Sequence, residues 1–310
     1  MVIRKISYYR VIVSLCLFMF LLSPVFGDEI SAVSFDKELP ENNIVTIQPD
    51  SLRILHNPLT GWVLYASMGV DAADFWAQYD HMYIPELGHN VSVTDYAHTL
   101  YIRASWTDFN PQEDVYGWKI DSNLRAYIEG AYQRNMRLAF RVVVDSRDKR
   151  TEFTPQFVKD AGAKGFMNKG KWSPYSDDSV FQKYYTKFVK ALAKDFNDPS
   201  KVEFIDGFGL GKWGEYHTMI YSTGDDTPKK AVFDWVTDIY SQAFDKVPVV
   251  INYHRWIGAG KDWVDDEHFA ADSEEMLEEA IKKGYSLRHD AFGMTTYYGS
   301  WERRFAKKYR

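Results

Sequence analysis

Cysteine is nearly absent from this chain of 310 residues. Its one cysteine, Cys16, lies inside an apolar run near the N-terminus. A disulfide framework is therefore excluded, and a protein without disulfides depends on its hydrophobic core. With 45% apolar residues, the chain can bury a large core. The length suits one barrel-sized domain or two small ones, and the missing disulfides favour a large domain.

Several catalytic and binding motifs are also missing. The 8 histidines show no His-Glu-x-x-His spacing, and no Gly-x-Ser-x-Gly elbow or Gly-rich dinucleotide turn occurs. These absences argue against a zinc site, a serine esterase and a nucleotide-binding open sheet, so we expect neither a metal nor a cofactor. The net charge of -6 and the lack of Lys/Arg clusters argue against nucleic-acid binding.

Residues 1–27 have the pattern of a secretory signal peptide. Three basic residues precede the apolar run Val11 to Leu22, and Val25-Phe26-Gly27 supplies a small-residue cleavage pattern. The run is short for a bilayer span. We therefore expect a secreted or periplasmic protein without a stable membrane span after cleavage. Residues 28–56 are a polar lead-in, and residues 57–310 form the folded domain.

Strand and helix patterns alternate along residues 57–310. This alternation predicts a parallel sheet with helices outside it, and hence a (β/α)8 TIM barrel. Six strand–helix units are recognisable, so we expect a barrel truncated after its sixth strand, or one completed by a partner chain. The predicted strands cover residues 62–65, 98–106, 136–145, the start of 201–218, 247–253 and 291–297.

The segment 201–218 organises the rest of the chain. It begins as an apolar strand and then contains three glycines, which permit sharp turns or close backbone approach. Glu215 follows between Trp213 and Tyr216, with His217 beside it. A carboxylate framed by aromatic rings after a buried strand predicts a catalytic acid in a sugar-binding cleft. The alternative is a surface glutamate in an ordinary loop.

Other strand ends carry polar and aromatic residues that suit a sugar cleft. Arg103 ends the second strand and either orients a carboxylate or forms a structural ion pair. Asp145 ends the third strand and either lines the cleft or belongs to a salt-bridged loop with Arg147. Aromatic content is high, at 16%, and we expect about half of the strand-end rings to serve packing alone. The remaining strand-end candidates are Asn252, Tyr253 and Tyr297.

The segment 103–138 resembles the second-strand region of retaining (β/α)8 glycoside hydrolases of the β-galactosidase and xylanase types. The order of residues carries this resemblance, although Asn110 replaces the usual Glu and Gly117 follows Tyr116 instead of preceding it. The matching residues are Trp106, Pro111, Tyr116, Trp118 and Asp121. Asn57-Pro58 with Gly61-Trp62, and the run 211–215, also resemble secreted Bacteroidetes-type members. The resemblance covers residues 57 to 255.

The resemblance implies that Glu215 is the general acid/base, although Gly214 precedes it where Asn is usual. Such an acid needs a raised pKa, and desolvation by Trp213 and Tyr216 would raise it. The nucleophile is expected on a seventh strand that we do not find. Glu302 is the nearest late carboxylate and is more simply explained as solvated. A complete barrel of this type would retain configuration.

The sequence therefore predicts a secreted glycoside hydrolase-like protein that cleaves O-glycosidic bonds in a poly- or oligosaccharide. Glu215 would donate the proton. The predicted cleft-lining residues are Arg103, Trp106, Asp145, Trp213, His217, Asn252, Tyr253 and Tyr297. One alternative is a non-catalytic carbohydrate-binding barrel without a nucleophile. Another is a structural or interaction protein whose aromatic residues are core. The sugar, the linkage and the oligomeric state stay open.

Overall fold

The computed structural model describes residues 61–66, 68–145, 147, 151–253, 256–260 and 267–289. Its main feature is a parallel sheet of six strands whose spatial order follows their order in the chain. The strands are β1 (Trp62–Tyr65), β4 (Ala97–Ser105), β5 (Arg137–Val143), β8 (Val202–Asp206), β9 (Val249–Asn252) and β10 (Ser286–Arg288).

At least one helix connects each pair of neighbouring strands. The helices are α1 (Ala72–Asp80), α2 (Trp106–Phe109), α3 (Gly117–Ile120), α4 (Ser122–Gln133), α5 (Gln156–Asp160), α6 (Ser179–Phe196), α7 (Lys229–Ala243) and α8 (Glu267–Lys282). Parallel neighbours joined by helical crossovers are the repeating unit of a (β/α)8 barrel. The described chain is thus an incomplete (β/α)8 barrel with six strands, which confirms the predicted fold class.

Two small hairpins interrupt the connections. The first pairs β2 (Met82–Ile84) with β3 (His89–Val91), and the second pairs β6 (Gly165–Asn168) with β7 (Lys171–Pro174). The sequence predicted long loops in both places. Strands of three or four residues are at or below the shortest run over which alternation distinguishes a strand from a loop.

Helix starts follow the capping pattern of the sequence. The Asp121 and Asp178 carboxylates accept hydrogen bonds from Leu124 N and Phe181 N, at 2.7 Å and 2.9 Å. Asp272 and Glu275 have the spacing of a capping box, which predicts a helix start at Asp272. That prediction is wrong, because α8 begins at Glu267 and Asp272 therefore lies inside the helix. Its carboxylate accepts a hydrogen bond from the buried Lys229 Nζ at 2.6 Å.

The sixth strand differs from its predicted position. The predicted range 291–297 lies outside the described residues. The strand that pairs with β9 is Ser286–Arg288, with Leu287 opposite Ile251. This strand was missed because it is three residues long and ends in a charged residue. No helix in the described part of the chain has the length and apolar character needed to cross a membrane.

An aromatic core fills the space between the sheet and α6, and Trp106 belongs to it. The Trp106 side chain is 0% exposed and packs edge-on against Tyr185 and Phe181. Ser105 and Asp108 form a capping box that starts α2 at Trp106, which turns the indole into the helical layer. The prediction that Trp106 lines a cleft is therefore wrong.

Candidate active site

The loop after β8 has an unusual backbone. Gly209, Gly211 and Gly214 have φ values of +71° to +72°. Three residues with side chains also have positive φ: Trp213 (59°), Tyr216 (59°) and Thr218 (51°). Left-handed conformations cost roughly 1–2 kcal/mol for such residues and persist only where surrounding structure enforces them. Strain of this kind concentrates at functional sites.

Backbone hydrogen bonds hold this loop in place. Within it, Lys212 N donates to His217 O at 3.0 Å, and Tyr216 N donates to Leu210 O at 2.8 Å. Gly258 N, in the segment after β9, donates to Tyr216 O at 2.7 Å. The loop is therefore fixed both internally and against the next strand unit, which gives Glu215 a defined position.

The Glu215 carboxylate lies in this loop, beyond the C-terminal end of β8. Its side chain is 11% exposed, and Arg141 Nη1 donates a hydrogen bond to Oε1 at 3.0 Å. His217 Nε2 lies 3.4 Å from Oε2. The neighbouring guanidinium favours the ionised form of Glu215, whereas partial burial favours the neutral form. Glu215 is thus a partly accessible carboxylate held between a cation and an imidazole.

A buried network fixes Arg141. Its Nε donates to Asp206 Oδ2 at 2.9 Å, and Asp206 is 0% exposed. Asp206 also accepts hydrogen bonds from Tyr101 OH at 2.5 Å and from Arg288 Nη1 at 3.2 Å. Burial, reinforced by the Asp206 charge, raises the pKa of Tyr101 well above its ordinary value, so Tyr101 remains a donor. Tyr101, Arg141 and Arg288 together satisfy the buried Asp206 carboxylate, and this network fixes the orientation of the Arg141 side chain.

Arg103 lies beside Arg141, because the two residues are paired across β4 and β5. The Arg103 guanidinium donates to Trp213 O from Nε at 3.3 Å and from Nη2 at 3.0 Å. Its Nη1 lies 3.4 Å from Tyr65 OH. Arg103 therefore supports the strained loop through a carbonyl group. The sequence predicted that Arg103 either orients a carboxylate or forms a structural ion pair. Among the described residues, Arg103 has neither kind of partner.

Two aromatic rings border this region. Trp213 is partly exposed, with Lys212 Nζ 4.3 Å from its ring centroid and the His217 ring 5.5 Å away. Tyr65, at the end of β1, is 51% exposed. A partly exposed indole two residues from Glu215 in the sequence offers a surface on which the C–H face of a sugar can stack, and the sugar-binding role of Trp213 stays a prediction.

His217 and Tyr216 are placed differently from the sequence prediction. His217 is 1% exposed, so it contacts Glu215 from inside the protein and does not line a surface, and its Nδ1 lies 2.7 Å from Thr218 Oγ1. Tyr216 is 0% exposed and packs against Phe208 and Phe233. It belongs to the core, and the predicted desolvation of Glu215 by Tyr216 stays a prediction.

Asp145 forms part of a salt-bridged loop, one of its two predicted roles. Arg147 Nε donates to Asp145 Oδ2 at 2.7 Å, and Arg147 N donates to Oδ1 at 3.0 Å. Asn252 is 1% exposed, and Tyr253 packs against His289 with ring centroids 4.9 Å apart. The described partners of Asp145 are Arg147 and Ser173, and Glu215 is not among them. Tyr297 and Glu302 lie outside the described residues.

Four site residues were missed from the sequence: Tyr101, Arg141, Asp206 and Arg288. A signal existed for two of them. Arg141 interrupts the apolar run of β5, and Asp206 ends the apolar β8, where a buried charge demands a partner. In the part of the chain that the structure describes, no group of three or more His, Cys, Asp or Glu residues is arranged to hold a metal ion.

Comparison with known proteins gives matches to solved structures alone. No protein-family model and no curated protein matches the sequence. An endo-1,4-beta-xylanase from Caldicellulosiruptor owensensis is 13% identical with a TM-score of 0.37, and the match covers 64% of this chain and 54% of that chain. Endo-glycoceramidase II from Rhodococcus sp. is 12% identical with a TM-score of 0.42, over 74% of this chain and 64% of that chain.

A third structure, a xylanase mutant from Cellvibrio japonicus in complex with xylopentaose, is 9% identical with a TM-score of 0.43. That match covers 73% of this chain and 39% of the xylanase. The chain thus spans less than two thirds of the length of these three proteins. At such TM-scores the fold assignment rests on the sheet order of the chain itself. The resemblance to Bacteroidetes-type members and the truncation stay predictions.

Proposed function

We propose that this protein is a glycoside hydrolase that cleaves O-glycosidic bonds in a poly- or oligosaccharide, with Glu215 as general acid/base. The position of the Glu215 carboxylate carries this proposal. It is partly exposed at the carboxyl end of a parallel strand, where the chemistry of such barrels collects, and a strained loop holds it beside Trp213. The proposal includes the secreted or periplasmic location that residues 1–27 predict.

The environment of Glu215 affects whether its carboxyl group holds the proton that a general acid must donate. Arg141 favours the carboxylate, but Asp206 offsets part of the positive charge because it binds the same guanidinium. A sugar stacked on Trp213 would exclude the remaining water from Glu215. Because desolvation penalises the charged form, substrate binding would favour protonation. Glu215 would then donate its proton to the glycosidic oxygen.

The second carboxyl group of the mechanism is not assigned to a described residue. A retaining enzyme needs it about 5–5.5 Å from the acid, and an inverting enzyme about 6.5–9.5 Å. Asp145 and Asp206 end neighbouring strands of the sheet, but both are buried in ion pairs with arginine. We therefore keep the proposal that the nucleophile belongs to a seventh strand, as the resemblance implies.

The alternative function is carbohydrate binding without catalysis. Its specific support is the ion pair between Glu215 and Arg141, because a carboxylate held in the ionised form is a poor proton donor. Binding would still use Trp213 and the polar groups around it. The two functions differ in turnover, so one set of variants distinguishes them.

The test uses Glu215→Gln, which removes the ionisable group at nearly constant size. We expect the rate of reducing-sugar release from xylo-, galacto- and gluco-oligosaccharides to fall by about 10²–10⁴-fold, since that is the usual contribution of general acid–base catalysis. Saccharide affinity, measured by calorimetry, should change little. Glu203→Gln is the matched control, because Glu203 is a buried, arginine-paired glutamate in the same unit, within β8.

Unchanged turnover in Glu215→Gln, on a substrate that the wild type cleaves, would refute the assignment of Glu215. Saccharide binding without any turnover in the wild type would favour the binding alternative. Equal losses in Glu215→Gln and Glu203→Gln would mean that both substitutions act through folding. Circular dichroism of each variant checks that point independently.

A further inference from the structure

Positive charge dominates the surroundings of Glu215. The whole chain has a net charge of -6, yet cations outnumber anions among the described side chains of this site. The cations are Arg103, Arg141, Lys212 and Arg288, and the anions are Asp206 and Glu215. A local excess of one sign, opposite to the charge of the molecule, raises the concentration of ligands that carry the other sign.

Arg103 supplies part of this excess. It lies directly across the β4–β5 pair from Arg141, and like charges at such positions repel each other. Asp206 and Glu215 compensate Arg141, whereas the described partners of Arg103 are a carbonyl oxygen and a phenol, both neutral. Three of the five N–H donors of Arg103 are engaged in these contacts, which leaves donors for a ligand.

Lys212 supplies the rest of the excess positive charge. Its ammonium group lies over the Trp213 indole, 4.3 Å from the ring centroid. No carboxylate among the described residues lies within ion-pair distance of it, and both side chains are partly exposed. A sugar that stacks on Trp213 would therefore meet the Lys212 ammonium at the ring and the Arg103 guanidinium behind the Trp213 carbonyl.

We propose that this site takes an acidic saccharide, one that bears a carboxylate or a sulfate group, and that Arg103 and Lys212 bind the anionic group. The proposal rests on the proposed function in that it uses the same site, but it concerns binding and not turnover. The planar guanidinium fork matches carboxylate and sulfate oxygens, and such charge-assisted hydrogen bonds are the strong ones. A neutral saccharide would leave both cations without a counter-charge from the ligand.

The experiment compares ligands that differ in charge alone. The probes are the trisaccharide of galacturonic acid with its methyl ester, xylotriose carrying a glucuronic acid branch with its methyl ester, and sulfated with unsulfated galacto-oligosaccharide. Binding is measured by calorimetry on the full chain at low and at high salt. We expect the charged member of at least one pair to bind about tenfold more tightly at low salt. Salt should reduce that preference, because it screens exposed charges.

Two variants test the assigned residues. Arg103→Gln removes the charge but keeps an N–H donor, and it should remove most of the preference for the charged ligand over its neutral counterpart. Lys212→Met retains the hydrocarbon stem over Trp213 and should remove part of the preference. Arg125→Gln is the control, because it removes an exposed arginine of α4 that pairs with Glu129. It should retain the full preference.

The inference fails if no pair shows a preference for the charged ligand. It also fails if Arg103→Gln weakens charged and neutral ligands equally, which would indicate that Arg103 acts only by supporting the loop through Trp213 O. Neutral saccharides bound and cleaved as well as acidic ones would refute this inference and leave the proposed function intact. Selective binding of an acidic saccharide without cleavage would support this inference and refute the proposed hydrolase function.

Discussion

Two tryptophans with similar sequence surroundings have opposite roles. Trp106 and Trp213 both come after a buried strand, and both were predicted to line a cleft. Trp106 begins a short helix and is fully buried among aromatic side chains, whereas Trp213 lies in a glycine-rich loop and is partly exposed. The difference arises from the residues at the end of each strand, which form a capping box in one case and include three glycines in the other.

This contrast leads to a paired prediction. Trp106→Ala should lower the free energy of unfolding by about 3–5 kcal/mol, because it empties a packed aromatic site. Trp213→Ala should lower it by less than about 1 kcal/mol, since surface changes are small, and should weaken saccharide binding. Urea unfolding and calorimetry measure the two quantities. If Trp106→Ala were as stable as the wild type and bound saccharide less tightly, Trp106 would belong to the cleft after all.

The charged residues inside the sheet follow another logic. Arg141 and Asp206 are nearly or fully buried, and each is satisfied by the other and by a second partner of opposite charge. Removing one member of such a set leaves a buried charge without a counter-charge, which is costly. These ion pairs therefore position side chains: Asp206 holds the Arg141 guanidinium, and Arg141 holds the Glu215 carboxylate.

At the scale of elements, the loop after β8 is the unit that forms the site. Its glycines are needed where backbone approaches backbone. A Cβ added at Gly209, where φ is +72°, would lie 2.6 Å from Val142 O and 2.4 Å from Tyr185 OH. Gly224 has a similar φ of +79°, but a Cβ there would meet nothing within 4 Å. A substitution at Gly224 would therefore introduce conformational strain alone, whereas one at Gly209 would introduce both strain and steric overlap.

We predict that Gly209→Ala costs about 3 kcal/mol or more in the free energy of unfolding, because left-handed strain and overpacking add. Gly224→Ala should cost about 1 kcal/mol, from strain alone. Urea denaturation of both variants measures the difference. Equal costs would mean that the loop moves away from β5 easily and that its conformation is not enforced by packing. The catalytic geometry proposed for Glu215 would then lose its basis.

At the scale of the whole molecule, long-range ion pairs join successive units of the barrel. Asp80, the last residue of α1, binds Arg134 just after α4, with Arg134 Nε donating to Asp80 Oδ1 at 2.8 Å. Both side chains are roughly three-quarters buried, at 27% and 22% exposure. The hydrogen bonds from Arg134 hold the pKa of Asp80 below its ordinary value of 3.8.

A lowered pKa in the folded state gives stability that is present above the unfolded pKa and lost as the pH falls through the folded pKa. Asp80→Asn should therefore cost about 1 kcal/mol at pH 7, and its difference from the wild type should shrink as the pH falls below about 4, through the folded pKa. Urea unfolding across this range measures it. Asp95→Asn, at an exposed position, is the control and should show no such trend. A cost independent of pH would contradict the ion-pair explanation.

By itself, the sequence determined the parallel strand–helix order, a helix cap at Asp177 or Asp178, of which the structure uses Asp178, and the carboxylate at Glu215 beside Trp213. These features depend on local patterns: apolar periodicity, N-cap residues and glycine spacing. Local patterns stop being informative where an element is too short to show several repeats of its period. The short hairpin strands and the three-residue sixth strand were missed for that reason.

The tertiary structure alone decided which charges meet around Glu215. The bonds from Arg141 to Asp206 and Glu215, and from Arg288 to Asp206, join residues 65, 74 and 82 positions apart. Neighbouring strands of a parallel sheet lie side by side whatever the length of the connection between them, so no spacing in the sequence records these partners. Pairing of β5 with β8 in the sheet therefore turned an isolated glutamate into one held by Arg141 and supported by Asp206.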